Sequence, residues 1–344
     1  MRLSKSGRHI SHRLAPIAAL CVAVVALSLC GSNVSTGAPK PLPSNNAESV
    51  AAFLGRWDLT LQAPDRTYPS WLELREEGGE LSAQMVGRWG NARPLPKAEI
   101  SQGKLTFVSP KDEEGAQADL VFEGTLKGGI LSGAVNGPDG KTWKWMGRRA
   151  PALHRSGPPI WGNAISLFNG KDLTGWHVSD PKATKAWTVE DGNLVSPGNG
   201  PELINNSKFE DFMLHVEFNC GENANSGVYL RGRYEVQVET DSLDESPSHR
   251  MGAIYGFLAP MPEQPRAPGK WQTYDITLAG RMVTVIQNGQ VIINNEEIPG
   301  ITGGALDSHE ELPGPIYLQG SEKGRVMYRK IVITPKASLG AARL

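Results

Sequence analysis

The chain has little cysteine, with three residues among 344. Cys21 and Cys30 lie in an apolar N-terminal stretch, so the rest of the chain keeps only Cys220, which we expect to be an inert buried thiol with no disulfide partner. The net charge is also small, at −1, and no cluster of Lys and Arg provides the basic face that nucleic-acid binding requires. Hydrophobic residues make up 39% and charged residues 21% of the chain, which excludes a disordered chain and a multi-span membrane protein.

The N-terminal 38 residues are typical of an export segment. Residues 1–13 carry four basic and no acidic side chains and precede an apolar run from Leu14 to Cys30. This run is slightly shorter than the ~20 apolar residues that a membrane span needs. We expect an exported, periplasmic or envelope-associated protein, which would be a lipoprotein if Cys30 is lipidated; a retained single anchor is the alternative.

The remaining sequence predicts two β domains joined by a short linker. Residues 51–150 contain short alternating segments about ten residues apart, separated by turn residues, which indicates an antiparallel meander closed into a small barrel or sandwich. Three prolines in 151–162 mark a boundary. The predicted segments are an export segment at 1–38, a linker at 39–50, a small lipocalin-like β domain at 51–150, a linker at 151–162, a second all-β domain at 163–336 and a tail at 337–344.

Five tryptophans in the first domain admit two interpretations. Most of them are expected to fill a small core, and stacking on a sugar is the alternative. They are Trp57, Trp71, Trp89, Trp143 and Trp145.

The second domain contains strands with one apolar and one polar face. In the runs Met213–Cys220 and Tyr234–Glu239, apolar and polar residues alternate, as expected for half-buried strands. The polar positions are His215, Glu217, Asn219, Glu235, Gln237 and Glu239. A face of carboxylates and amides with aromatics nearby suits a polyhydroxylated ligand, and we favour this interpretation over the alternative of a plain solvent-exposed face.

A series of motifs in the second domain resembles one known family. In chain order they are Leu167–Trp176, Trp187–Leu194, Phe209–Leu214, Asn225–Gly232, Tyr234–Gln237, Gly252–Gly256, Pro268–Trp271, Thr302–Leu306 and Pro313–Gly320. Together they are similar to the 3-keto-disaccharide hydrolase family, whose members are also described as 3-keto-glucoside 1,2-lyases and 3-keto-2-hydroxyglucal hydratases. The resemblance covers about 163–336 and implies a concanavalin- or laminin-G-like jelly-roll sandwich of two antiparallel sheets.

The resemblance implies an enzyme that acts on an oxidised sugar. A ketone at C3 makes the C2 hydrogen of a glucoside acidic, so a base can remove it, the group at C1 can leave, and water can add back. This chemistry needs a base, a group that stabilises the C3 oxyanion and a proton for the leaving oxygen. We expect Glu235, Glu217 or His215 to be the base, and Arg231 or a bound divalent metal cation to stabilise the enediolate.

The same resemblance suggests which residues bind the sugar. Gln237, Asn225, Tyr255 and Gln319 are expected to hold hydroxyl groups, and Trp271 to pack against the ring unless it lies in the core. Two loops carry weak metal-ligand signals, Asp307-x-His309-x-Glu311 and the group Asp241, Asp244 and Glu245 near His249. Neither has a zinc-type spacing, and the chain has no phosphate-binding glycine loop or serine-triad elbow.

Three alternatives stay open at this point. Ser321-Glu322 stands where the family often has Asp-His, which favours a non-catalytic carbohydrate-binding module. The Glu235-x-Gln237-x-Glu239 pattern resembles the Glu-x-Asp-x-Glu strand of retaining jelly-roll glucanases, but its central acid is replaced by Gln. A scaffold protein that uses both β domains for protein contacts is the third.

Overall fold

The computed structural model describes residues 46–88, 90–183, 186–240 and 246–337. The export segment, most of the first linker, nearly all of the tail, Trp89 and the loop containing Asp241, Asp244 and Glu245 lie outside the described residues. No helix in the described ranges has the length and apolar character needed to cross a membrane. The helices are α1 (Asn46–Phe53), α2 (Lys111–Glu114) and a 3-10 turn (Pro247–His249).

Almost all other regular structure is β-strand, which confirms the all-β prediction. The strands before the second linker are β1 (Gly55–Gln62), β2 (Thr67–Glu77), β3 (Glu80–Val86), β4 (Ala92–Pro94), β5 (Lys97–Ser101), β6 (Lys104–Ser109), β7 (Leu120–Lys127), β8 (Ile130–Asn136) and β9 (Thr142–Arg149). The strands after it are β10 (Ile165–Ser166), β11 (Trp176–Val178), β12 (Thr188–Glu190), β13 (Asn193–Ser196), β14 (Leu203–Phe209), β15 (Phe212–Cys220), β16 (Asn225–Leu230), β17 (Tyr234–Glu239), β18 (Trp271–Ala279), β19 (Met282–Gln287), β20 (Gln290–Glu297), β21 (Gly314–Leu318) and β22 (Val326–Pro335).

The first nine strands form one antiparallel sheet in the order β4-β3-β2-β1-β9-β8-β7-β6-β5. Its two end strands, β4 and β5, are separated by only two residues in the chain. The sheet must therefore curl until its ends meet, which makes a small barrel. Its interior is filled by apolar side chains, including the stacked pair Phe107 and Phe122, whose ring centroids are 4.7 Å apart. Trp57, Trp143 and Trp145 are buried in this core.

The later strands form two further antiparallel sheets. One has the order β12-β13-β22-β15-β18-β19-β20, with β10 beside β22, and the other the order β11-β14-β21-β16-β17. Their inner faces supply a shared hydrophobic core, as in a jelly-roll sandwich. The apolar positions predicted for β15 and β17 lie in that core, since Val216, Phe218, Val236 and Val238 are fully buried. β17 is not half-buried as predicted, because its polar positions are buried as well.

The barrel and the sandwich belong to one compact unit, Asn45–Leu344. Trp71 of β2 is buried in the hydrophobic cluster of the sandwich rather than in the barrel interior, and its ring meets Phe257 edge-on at 5.2 Å. Gly300 makes this contact possible, because a Cβ there would lie 2.2 Å from Trp71 Nε1. The predicted domain boundaries at 150 and 163 stay a prediction.

Candidate active site

Two neighbouring strands of the five-stranded sheet place polar side chains on its outward face. β16 pairs with β17 so that Tyr229 lies opposite Glu235 and Gly227 opposite Gln237. Side chains of directly opposed residues lie on the same side of a sheet. Because Tyr234, Val236 and Val238 turn into the core, the alternate residues of β17 face away from it.

These residues line a cavity of about 600 Å³. Five of the predicted site residues meet there, namely Glu235, Gln237, Asn225, Tyr255 and Gln319. The other lining residues of the sandwich are Glu202, Tyr229, Gly303, Gly304, Ala305, Leu306, Glu322 and Lys323, and the barrel adds Arg66, Thr67, Tyr68, Pro69, Gly87, Arg88 and Gly90. The volume is within the range of about 300–1,000 Å³ that is usual for small-molecule sites.

Glu235 is the buried acid of this cavity. Its side chain is 3% exposed, and burial, with a contribution from the charge of Glu322, raises the pKa of Glu235 to about 8. A hydrogen bond from the Tyr229 hydroxyl opposes the shift and lowers this pKa. Glu235 is therefore mostly protonated at neutral pH, and its ionised form is a stronger base than an ordinary carboxylate.

Tyr229 connects this carboxyl to the backbone of the loop above it. Its hydroxyl lies 2.8 Å from Glu235 Oε2 and 2.6 Å from the carbonyl oxygen of Gly303. A hydroxyl has a single hydrogen, so it cannot donate to both acceptors at once. When Glu235 is protonated it can donate to the tyrosine oxygen while Tyr229 donates to Gly303, and when it ionises Tyr229 can donate to the carboxylate.

Two glycines leave room for this pair. A Cβ at Gly227 would lie 2.1 Å from Glu235 Oε1, and a Cβ at Gly304 would lie 2.4 Å from the Tyr229 hydroxyl. Tyr229 is held from its other side by Tyr317, with ring centroids 3.9 Å apart. The carboxyl can occupy this position because Gly227 and Gly304 have no side chains, and Tyr317 supports Tyr229 from the other side.

The amide side chains supply hydrogen-bonding groups around Glu235. In the described part of the chain nothing donates a hydrogen bond to the buried Oε1 of Gln319, although its Nε2 donates to Glu322 Oε1 at 3.4 Å. A ligand hydroxyl could donate to that oxygen. Tyr255 lies against the ring of His249, with centroids 4.8 Å apart, and His249 Nε2 contacts the Asn91 side chain of the barrel.

The structure does not bring Glu217, His215 and Trp271 to this cavity. They lie on β15 and β18 of the larger sheet, on the face that points away from the core. Glu217 accepts hydrogen bonds from Arg329 Nε at 2.6 Å and from Lys330, which keep its pKa low, and His215 Nδ1 lies 2.7 Å from Asp275. The Arg329 guanidinium covers the Trp271 ring at 3.8 Å.

Arg231 also lies away from the cavity, because it follows the end of β16 and its side chain enters the interior. It is 1% exposed, and its guanidinium donates to the Gly280 carbonyl at 2.8 Å and to the Tyr234 hydroxyl at 3.1 Å. These contacts hold its charge within the fold. The basic side chains that line the cavity are Lys323, Arg66 and Arg88.

The described residues do not form a site for the expected divalent cation. Within the described ranges no group of three or more His, Cys, Asp and Glu side chains is placed to hold a metal. In the predicted 307–311 loop, Asp307 accepts a hydrogen bond from Arg233 Nε at 2.7 Å, while His309 and Glu311 pair with each other at 3.5 Å. The bound metal stays a prediction.

Sequence reasoning missed the barrel residues that line the cavity and the role of Tyr229. The spacing of Tyr229 and Glu235 around the β16–β17 turn could have revealed their pairing, since both strands alternate. Arg66 and Arg88 carried no such signal, because they lie in loops next to strands of a different sheet and reach the cavity only through tertiary packing.

The fold and the cavity define a β-sandwich protein with a buried acid on the outward face of its smaller sheet. The sequence from residue 163 to residue 334 matches the family described as the 3-keto-alpha-glucoside-1,2-lyase-like domain. The match spans half of the chain, and the chain belongs to this family, as its motifs predicted.

Individual relatives are more distant. A curated 3-keto-disaccharide hydrolase of Bacteroides thetaiotaomicron is 21% identical over 38% of this chain and 57% of its own length, so the chain spans little more than half of that relative. A solved structure from Parabacteroides distasonis, provisionally assigned as a glycosyl hydrolase, is 30% identical over 52% of this chain and 92% of its own, with a TM-score of 0.43. The carbohydrate-binding module CBM66 from Bacillus subtilis is 12% identical over 46% of this chain and 95% of its own, with a TM-score of 0.32.

Proposed function

We propose that the chain cleaves 3-keto-glycosides, including 3-keto-disaccharides, by elimination followed by hydration. The observation that carries the proposal is the buried carboxyl of Glu235, which faces a polar cavity in the family-matched sandwich and has a pKa of about 8. A base of this strength suits the removal of a proton next to a ketone near neutral pH. The name of the Bacteroides relative, a 3-keto-disaccharide hydrolase, supports the same substrate class.

In the first step, ionised Glu235 takes the proton from C2 of the sugar. The electron pair of the broken C–H bond forms a C2–C3 double bond, and negative charge collects on the C3 oxygen. Lys323 lines the cavity and can stabilise this oxyanion. Tyr229 holds the carboxyl in place from Oε2, which leaves Oε1 for the C2 proton.

In the second step, the enediolate collapses and the bond from C1 to the leaving oxygen breaks. The leaving oxygen takes a proton from water, and the resulting hydroxide adds to C1 of the unsaturated sugar. Glu235 returns its proton to C2. One water molecule is consumed in total, so the net result is hydrolysis of the glycosidic bond.

The test compares Glu235→Gln with Glu217→Gln on 3-keto-trehalose. Glu235→Gln keeps the size of the side chain and removes its basicity, so we expect turnover to fall by 10³-fold or more, at the upper end of the usual contribution of a general base. Glu217→Gln changes a carboxylate on the outer face of the other sheet, and should retain turnover within about twofold. In heavy water, the product should carry deuterium at C2 to the extent that the Glu235 proton exchanges with solvent between the two steps.

Two results would contradict the proposal. One is full turnover in Glu235→Gln, and the other is the absence of any consumption of 3-keto-trehalose by the wild-type protein. The second result, combined with measurable sugar binding, would favour the carbohydrate-binding module that Ser321-Glu322 suggests. In that case Glu235→Gln would weaken binding without any rate to lose.

A further inference from the structure

One wall of the cavity is built by residues that lie outside the family match. Residues 66–69, at the start of β2, and Arg88, just after β3, line the cavity together with Glu235. The family match begins only at residue 163. The sandwich thus supplies the reacting carboxyl, and the barrel supplies a separate surface in the same cavity, which we call the barrel wall and define as Arg66, Thr67, Tyr68, Pro69 and Arg88.

The barrel wall is held firmly against the sandwich. A Cβ at Gly303 would lie 2.2 Å from the Gly90 carbonyl oxygen, and a Cβ at Gly256 would lie 2.5 Å from Asn91 Cβ. Such close approach means that the barrel residues next to the wall pack directly on the sandwich. The buried Trp71 lies two residues after Pro69 and anchors the same strand in the sandwich core. The wall is therefore a fixed part of the site.

The side chains of the wall include hydrogen-bond donors. The Arg88 guanidinium is paired with Asp65 and lies 5.2 Å from the ring centroid of Tyr68 and 5.5 Å from that of Trp143. Arg66 and Thr67 are exposed at the rim. A guanidinium offers five N–H donors and no acceptor, so it recognises oxygen-rich groups. A hydroxyl-rich leaving group could accept hydrogen bonds from these donors, whereas an apolar aglycone could not.

We propose that the barrel wall is the leaving-group subsite and that it selects a hydroxyl-rich leaving group, that is, a second sugar. This inference rests on the proposed function, in which the oxidised ring is held with C2 at Glu235. The barrel wall lines the same cavity, and we place the leaving group at C1 of the sugar against it. Selectivity for a disaccharide is thus encoded in a part of the chain that the family domain does not include.

The experiment compares two substrates that share the oxidised ring and differ in the leaving group. They are 3-keto-trehalose, which loses a glucose, and methyl 3-keto-glucoside, which loses methanol. The double variant Arg66→Ala/Thr67→Ala removes two exposed side chains of the wall. Arg148→Ala is the matched control, since Arg148 is an exposed arginine on β9 of the same sheet and does not line the cavity.

We expect the double variant to lose at least tenfold in kcat/KM for 3-keto-trehalose, the effect of losing a hydrogen bond to a charged group. Its kcat/KM for methyl 3-keto-glucoside should stay within twofold of wild type, and the control should match wild type on both substrates. Equal losses on the two substrates, or no loss on either, would overturn the inference.

A binding measurement separates this inference from the proposed function. In the Glu235→Gln background, titration calorimetry with intact 3-keto-trehalose and methyl 3-keto-glucoside reports binding without turnover. The wall variant should weaken binding of 3-keto-trehalose by about tenfold and leave the methyl glycoside unchanged. If wild-type protein turned over neither substrate, the proposed function would fail, and the binding difference would still decide whether the wall recognises a second sugar.

Discussion

At the scale of single residues, the site depends on one carboxyl whose proton is held unusually tightly. Burial gives Glu235 a pKa of about 8, so only the minor ionised fraction acts as a base at neutral pH. The raised pKa thus lowers the fraction of Glu235 that is ionised at neutral pH and makes that fraction a stronger base. This is the expected compromise for proton removal from carbon. The Tyr229 hydroxyl can form a hydrogen bond with Glu235 in both protonation states of the carboxyl, because the Gly303 carbonyl offers the hydroxyl a second acceptor.

The rate of proton removal should follow the ionisation of Glu235. We expect kcat/KM to rise about tenfold per pH unit below pH 8 and to level off above it, because only the ionised carboxyl is a base.

Tyr229→Phe removes a hydrogen bond that lowers the pKa of Glu235, so the midpoint of the pH–rate profile of this variant should move to higher pH. A pH–rate profile with 3-keto-trehalose checks both, with Glu217→Gln as the control. A midpoint near the ordinary pKa of a carboxyl, or one that Tyr229→Phe does not move, would contradict this account.

At the scale of elements, the approach of β16 to β17 decides where the carboxyl sits. Gly227 faces the Glu235 side chain across the strand pair, and an added methyl group would occupy the space of Oε1. We expect Gly227→Ala to displace the carboxyl and to reduce kcat by tenfold or more, with a loss of stability of about 1–3 kcal/mol from overpacking. Turnover and thermal unfolding measure the two effects.

Gly157→Ala is the control for this variant, because a Cβ at Gly157 would meet nothing within 4 Å. It should leave both turnover and melting temperature close to wild type. If Gly227→Ala kept full turnover, the position of Oε1 would not matter for the reaction.

The elements also show what the sequence could and could not predict. Alternation identified β15 and β17 and their polar faces, because side chains on a strand point to opposite sides with a strict period of two. It could not tell which polar face borders the cavity. Glu217 and Glu235 look equivalent in sequence, but Glu217 lies beside Arg329 and Lys330 on the larger sheet, whereas Glu235 lies beside Tyr229 on the smaller one.

Arg231 illustrates the same limit within a single strand pair. It follows β16 directly, and a permanently charged side chain near the site residues favours a role in binding an oxyanion. The turn after Leu230 gives Arg231 a φ of 52°, which breaks the strand alternation. Its guanidinium donates hydrogen bonds to the Tyr234 hydroxyl and to the Gly280 carbonyl. Tertiary contacts of this kind carry no periodic signal.

At the scale of the whole molecule, the barrel and the sandwich share a buried polar contact. Asp58 of β1 lies beside Glu310 of the sandwich, which also accepts hydrogen bonds from Tyr234 at 2.7 Å and from Arg281. Arg281 Nε donates in turn to the Pro151 carbonyl at 2.8 Å, in the linker between the two sets of strands. Two carboxyls that meet out of water cannot both ionise at low cost, so one of them keeps a proton.

The proton on Asp58 should make the stability of the whole chain depend on pH. Burial, followed by the neighbouring charge of Glu310, raises the pKa of Asp58 well above its ordinary value of 3.8. The folded state then binds a proton that the unfolded chain releases, so this contribution is fully present below about pH 4 and is lost as pH rises through the raised pKa. For each such proton, the free energy of unfolding falls by up to about 1.4 kcal/mol per pH unit between the unfolded and folded pKa values. The raised pKa of Glu235 likewise lowers the free energy of unfolding as pH rises, up to about pH 8.

Asp58→Asn tests this linkage, because the amide stays neutral and can still donate a hydrogen bond to Glu310. We expect its free energy of unfolding to fall less steeply than that of the wild type between pH 5 and pH 9, with the gain over wild type growing as pH rises. Urea unfolding at a series of pH values measures the slope, and Glu235→Gln separates the part that belongs to the cavity. Parallel slopes for Asp58→Asn and wild type would mean that Asp58 is ionised in the folded protein. The barrel and the sandwich would then be joined through a charged contact with Arg281 instead of a proton shared by two carboxyls.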